Sequence, residues 1–323
     1  MKLRVRGLLC FISLLTVVAL AEGSGMDDFR GTWAMKIAGR NLFLLKLEVR
    51  QSAIQGVYVR PEEFQMANTL FADIRGIRTD SVSAGQCRDG ALHFVVQNAH
   101  DPNDQDNYVM RLSEDHAELA PEDLPPGIVV APRVFVRVAA NAKVATDWQP
   151  NRAYSANDSD QPSAEMTAIY DADQKGRTTD PAHIDWATVD KADEARREET
   201  RKLLASGALH TGEDYEHAAF VFQHGGSPED YLLAHTLAMV AVTKGDTTAI
   251  WVATAALDRY LHSLGRKQIF GTQFLSHAEG DGRTTWTQEP YDRALVPDVL
   301  RDQLGVPAQK IQEEQLRAYK SMK

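Results

Sequence analysis

Between residues 31 and 138 the apolar positions recur every second residue. Trp33, Met35 and Ile37 form one alternating set. Phe43, Leu45, Leu47 and Val49 form another, with Lys46, Glu48 and Arg50 on the opposite side. Leu92, Phe94 and Val96 repeat the alternation, as do Tyr108, Met110 and Leu112, and then Val134, Val136 and Val138. Turn formers separate the runs at Ala38-Gly39, at Arg88-Asp89-Gly90 and across 101–107. Period two with one polar face predicts half-buried antiparallel strands, and strands at this spacing predict a small barrel or sandwich over 26–142.

Residues 143–164 are rich in Asn, Asp, Ser, Pro and Gln and read as a linker. Beyond it, from 165 to 323, the period becomes 3.6 and an all-α helical bundle domain is expected. The first clear helix is charged and runs from about Asp190 to Leu204. A second covers Glu213 to His224 and stops at Gly225-Gly226. Ser227-Pro228-Glu229-Asp230 resembles a capping box with Pro at the first helical position, opening a helix that ends at Gly245. Asp246 caps the next helix, which Gly265 terminates, and shorter helices are expected at Pro297 to Gln303 and Pro307 to Lys320. The fold class is therefore α+β, arranged as two domains.

The first 21 residues change the picture of where the chain works. Lys2, Arg4 and Arg6 precede an apolar run from Gly7 to Leu20, and Ala19-Leu20-Ala21 supplies the small residues of a cleavage site. The run is shorter than the roughly 20 apolar residues of a membrane span, so a cleaved signal peptide and a periplasmic or secreted protein are expected. The chain carries a formal net charge of −10, and removal of this segment would take three more cations. Such a surface disfavours nucleic acid and anionic membrane partners. Of the two cysteines, Cys10 would leave with the signal and has no lipobox before it. Cys87 would then stand alone, so no internal disulfide is available and stability must come from burial.

Candidate chemistry concentrates between residues 217 and 273. Leu232 to Val242 and Ala249 to Leu257 are apolar on nearly every side, as expected of helices deep in a bundle, yet His235, Asp258, Arg259 and His262 lie on them. Asp258 and His262 are four apart and share a face. Asp258 could orient His262 as a general base, or it could tie helix ends together with Arg259. His224 ends its helix, where the dipole favours a cationic ring that would suit an anionic ligand or cap the last carbonyls. After Gly265, the run containing Gln268, Gly271, Thr272 and Gln273 is dense in directional donors. Folded back, it could face Asp258 and His224 and build a polar pocket, or serve as a buried amide ladder. No metal or cofactor motif occurs: the HExxH spacing, Gly-rich phosphate loops, nucleophile elbows and Cys pairs are missing, and 101–107 lacks the Gly and Glu of a calcium loop.

Two resemblances follow from these residues. Asp27 to Trp33, DDFRGTW, resembles the opening strand of lipocalin and fatty-acid-binding barrels. It implies an indole at the barrel base and, as one alternative, apolar-ligand carriage; a filled core is the other. Gln223-His224-Gly225, the acidic helix start, Asp258-Arg259 and Gly265 to Gln273 together resemble a bacterial family known only as a domain of unknown function. That match runs from about Ala195 to Tyr319 and includes ALVPDVLRDQLGVP (Ala294 to Pro307). Phe270 stands where Tyr is usual in the family, so no hydroxyl is present there. The resemblance implies a shared polar centre of Gln223, His224, Asp258, Arg259, Gln268, Gly271, Thr272 and Gln273. The expected function is binding of a small molecule or protein partner. The alternative is a hydrolase-type enzyme using His224 or an Asp258–His262 pair, with Arg259, Gln268 and Gln273 stabilising negative charge.

Overall fold

A computed structural model describes residues 25–321 apart from 52, 68, 129, 178–184 and 281–283. The expected signal segment lies outside the described residues. The architecture is α+β. Among the described residues an eight-stranded closed barrel occupies the N-terminal half, and seven α-helices and a two-stranded ribbon lie in the C-terminal half. The barrel order is β1-β10-β9-β8-β7-β6-β3-β2, an up-and-down meander that selects the barrel over the sandwich. Its strands are β1 (Gly31–Ile37), β2 (Arg40–Arg50), β3 (Ala53–Arg60), β6 (Arg78–Arg88), β7 (Ala91–Gln97), β8 (Gln105–Leu112), β9 (Ala117–Pro121) and β10 (Arg133–Val138). The hairpin β4 (Glu63–Ala67) and β5 (Leu70–Arg75) is inserted between β3 and β6 as a separate sheet.

By compactness the chain divides into one unit of Met1–Trp33, Leu45–Tyr58 and Asp80–Ala140, and another of Ala34–Leu44, Val59–Thr79 and Asn141–Lys323. In the first, Trp33 is buried and its indole N–H donates to Phe29 O at 2.9 Å. Arg137 covers the ring, with Cζ 4.1 Å from its centroid, and donates to the carbonyls of Arg30 and Asp28. The indole is thus buried, with a guanidinium over its face. Phe94 pairs with Tyr108 across β7 and β8 and their rings stack at 6.0 Å; Tyr58 lies 6.2 Å from Tyr108. Large rings thus populate this part of the core.

Two strands depart from the simple alternation. On β10 the buried residue is Phe135 while Val134 is 51% exposed, so the phase is opposite to the expected Val134–Val136–Val138 face. The Val run masked an aromatic that outweighs any single Val in buried area. On β2, Leu42, Phe43, Leu44 and Leu45 are all buried. Both faces are covered here: within the second unit, Phe64 and Phe71 of the β4–β5 hairpin pack edge-on against Phe43 at 5.6 and 5.9 Å.

The helices are α1 (Ala164–Lys175), α2 (Trp186–Ser206), α3 (Gly212–Gln223), α4 (Pro228–Thr243), α5 (Ile250–Ser263), α6 (Asp298–Gln303) and α7 (Gln309–Ser321). The expected punctuation governs most of them. Ser227 Oγ accepts from Asp230 N at 3.1 Å with Pro228 at the first helical position, and Gly245 and Gly265 adopt left-handed conformations just past α4 and α5. Asp246 caps a short 3-10 turn leading into α5. The domain is not purely α, because β11 (Leu275–Ala278) and β12 (Thr284–Thr287) form an antiparallel ribbon. Nor is α4 enclosed: Leu232 and Met239 are more than 40% exposed, so its apolar residues exceed what its neighbours cover. The apolar core of this half joins Met166 and Ile169 of α1 to Phe222 of α3, Leu237 of α4 and Val252 of α5. Among the described residues no helix is long and apolar enough to cross a membrane.

Candidate functional site

Asp258 emerges from α5 fully buried, and its carboxylate accepts four hydrogen bonds. Oδ1 takes the main-chain N–H groups of Ile269 and Phe270 at 2.8 and 3.0 Å; Oδ2 takes Thr272 N and Thr272 Oγ1 at 3.0 and 2.8 Å. The loop after Gly265 does fold back, and it folds around this acid. Gln268, also fully buried, donates to Gln273 O and Gln288 O and accepts from Gln273 N. Phe270 O is held by the Arg301 guanidinium, Gln312 and Tyr291. Gly271 has φ +76°, and a Cβ there would meet Gln312 Oε1 at 2.2 Å. These groups satisfy one another as a closed amide ladder.

The expected Asp258–His262 pair does not form, because the four donors around Asp258 are main-chain and Thr272 groups. His262 Nε2 is buried without a hydrogen-bond partner, and burial pushes its pKa down despite the nearby Asp258 charge. Arg259 Nε donates to Gln273 Oε1 at 3.1 Å and Nη1 to Gln223 O at 2.9 Å. Burial lowers its pKa, and no carboxylate forms a salt bridge with it among the described residues. Gln223 therefore contributes its carbonyl. Asp258, Arg259, Gln268, Thr272 and Gln273 form one connected network, and Gln223 marks its edge.

His224 faces elsewhere. Its ring Nδ1 lies 2.9 Å from Asp173 Oδ2 at the end of α1. Asp173 is fully buried and also receives Arg177 Nη1 and Gln174 Nε2, each at 2.9 Å, while Arg196 Nε stands 3.5 Å away. Asp193 of α2 binds both Arg177 and Arg196. Burial raises the Asp193 pKa, but the hydrogen bonds from the two guanidiniums outweigh it and the net shift is downward. The α3 carbonyls that a terminal histidine could have capped are taken by arginines instead: Arg259 on Gln223 O, and Arg197 on His224 O at 3.2 Å. Cations at a helix C-terminus offset its partial negative charge, and this leaves the imidazole to Asp173.

His224 lines a cleft of about 500 Å³ together with Asp190, Glu194 and Arg197 of α2 and the turn Gly225-Gly226. Gly225 is required by a close approach: a Cβ would lie 2.4 Å from Cβ of Asp230, whose carboxylate Arg201 holds at 2.6 Å. Gly226 has nothing within 4 Å of a Cβ position. An ionised carboxylate only accepts, so the Asp173 bond places a proton on Nδ1, and in the neutral ring this leaves Nε2 as a lone-pair acceptor. A positioned acceptor beside a water-accessible cleft can take a hydrogen bond from a ligand or a proton from a reactant.

Asp173, Arg177, Asp193 and Arg196 were not among the expected site residues. Asp173 lies on α1, Asp193 and Arg196 on α2 and Arg177 just past α1, and in the sequence they show only as charge. Among the described residues no group of three or more His, Cys, Asp or Glu side chains converges as a metal site. No family model, curated protein or solved structure matches the chain, so the site stands on its own geometry.

Proposed function

We propose that the helical half is a binding module for a small polar molecule, that the cleft beside His224 is its binding site, and that the protein acts after export. The carrying observation is the His224–Asp173 pair: a buried acid, itself held by two cations and an amide, fixes one imidazole at the wall of a cleft of ligand size. A side chain held this way loses little further freedom on binding. The Asp258 network supports the reading from behind, since Arg259 joins it to the end of α3 that carries His224. The export address rests on the Met1 to Ala21 pattern.

Gly226 provides the test, because it has open space above it and no positive φ. Gly226→Trp should fill the cleft and leave the fold intact. A thermal-shift screen of amino acids, sugars, nucleosides and organic acids should find compounds that raise the wild-type Tm and do not act on the variant. Saturation at a hundredfold excess over Kd stabilises by about 2.7 kcal/mol. Compounds that shift both proteins equally would place binding outside the cleft.

A further inference from the structure

We propose that this cleft is catalytic: His224 Nε2 acts as general base toward water, and the substrate class is a small uncharged acyl ester. The inference rests on the cleft being the binding site. The hydrogen bond to Asp173 sets the tautomer required of a base, with the proton on Nδ1 and the lone pair of Nε2 left over. Asp173 is a positioning residue, because it acts through the ring. A second observation lies in the turn after His224. The main-chain N–H groups of Gly226 and Ser227 donate to no acceptor among the described residues, and Gly226 borders the cleft. They precede α4, sixteen residues long, so its dipole adds to their pull on a developing oxyanion.

The charges select the substrate. Asp190 and Glu194 stand exposed on the α2 face of the cleft. Arg177 and Arg196 are held by Asp173 and Asp193, and Arg197 by Asp230 and the carbonyl of His224. Lys191 is the remaining cation of the lining. This arrangement disfavours phosphate esters and admits a neutral acyl group. In the reaction Nε2 takes a proton from water as the water oxygen bonds to the acyl carbon. The carbonyl oxygen gains negative charge facing the turn amides. Collapse then breaks the bond to the alkoxide, which receives the proton from the imidazolium. The products are an acid and an alcohol, and no co-reactant beyond water is consumed.

The full chain can be tested with p-nitrophenyl acetate and butyrate, subtracting the rate of His224→Ala as the contribution of the other imidazoles. Wild type should exceed His224→Ala by about a hundredfold or more. Asp173→Asn should lose most of that excess, and long-range ¹H–¹⁵N spectra should show His224 protonated on Nδ1 in wild type and on Nε2 in this variant, a change that a merely structural acid would not produce. Gly226→Trp should abolish the excess while keeping the Nδ1–H tautomer, which separates access from folding. Rates within twofold of His224→Ala would overturn the proposal. If cleft-dependent thermal shifts persist in that case, binding survives and catalysis fails; if they are also absent, both fail.

Discussion

Asp258 shows how far one carboxylate can organise a chain that has left its helix. Four donors from Ile269, Phe270 and Thr272 converge on it with no water-exposed face. Removing the acceptor strands three N–H groups that point at a fully buried carboxylate, one of them wholly buried, and an unsatisfied buried donor costs about 1–3 kcal/mol. Asp258→Ala should therefore destabilise by roughly 3–5 kcal/mol, a large fraction of an ordinary domain's stability. Urea denaturation measures this directly; a loss under about 1 kcal/mol would mean that the loop finds other acceptors. Two partly enclosed histidines behave differently. Burial lowers the pKa of His217 and of His262, and each has one ring nitrogen buried without a partner. His217 lies flat on Tyr170 at 3.9 Å and keeps its lowered pKa against the acids Glu213, Asp214, Asp171 and Asp246. A depressed folded pKa means that the unfolded chain binds protons first as pH falls. The stabilisation is complete above the ordinary histidine value and is lost as pH falls below it. The urea midpoint should drop from about pH 7.5 to about pH 5.5. In the double variant His217→Phe, His262→Met the slope should be shallower, and an unchanged slope would assign the pH dependence to other groups.

Elements were legible in proportion to how cleanly burial followed hydropathy. The caps at Ser227 and Asp246 and the stops at Gly245 and Gly265 name α4 and α5 from sequence, because capping is local chemistry. Strands β3 and β6 were missed for a reason visible at Gly56 and Gly85. Cβ atoms there would meet Lys46 O at 1.9 Å and Ile54 Cβ at 2.6 Å, so close strand approach demanded glycine where an alternating apolar residue would have been the signal. Helix α1 escaped notice because its buried stripe is Met166, Ile169 and Asp173, only two of them apolar. On α2 the buried set is Asp193, Thr200 and Leu203. Hydropathy marks such faces as solvated, yet the charges are buried against one another. The candidate site was half legible for the same reason: His224 was visible as a helix-ending histidine, while its partner lay on a helix that the pattern did not show. The Asp214 carboxylate completes the assembly in the same unseen way, accepting from Ser163 N at the start of α1 and from His210 N and Thr211 N before α3.

At the scale of the whole chain, residues 143–164 carry the largest difference between composition and structure. Their polar content describes a linker, but a core of these residues is engaged with one another and with the rest of their unit. Tyr154 is 1% exposed, exchanges both main-chain hydrogen bonds with Phe71 of β5, and receives Gln149 N on its hydroxyl. Arg152, 7% exposed, lies over the Tyr154 ring at 4.5 Å, and Asp158 ties it to Lys244 at the end of α4. Arg40 at the start of β2 holds Asp147 and Asp160. A protease needs several residues of extended, accessible chain, which a free linker offers and this strap does not. Native trypsin should therefore spare the Arg152–Ala153 bond in the wild-type protein. Asp158→Ala leaves Arg152 and Lys244 as buried cations without their shared acid, a defect that costs several kcal/mol, and the same bond should then be cut among the first products seen by mass spectrometry. Early cleavage at Arg152 in the wild type would show that the strap opens freely and that its ion pairs contribute little to holding β2, β5 and α4 together.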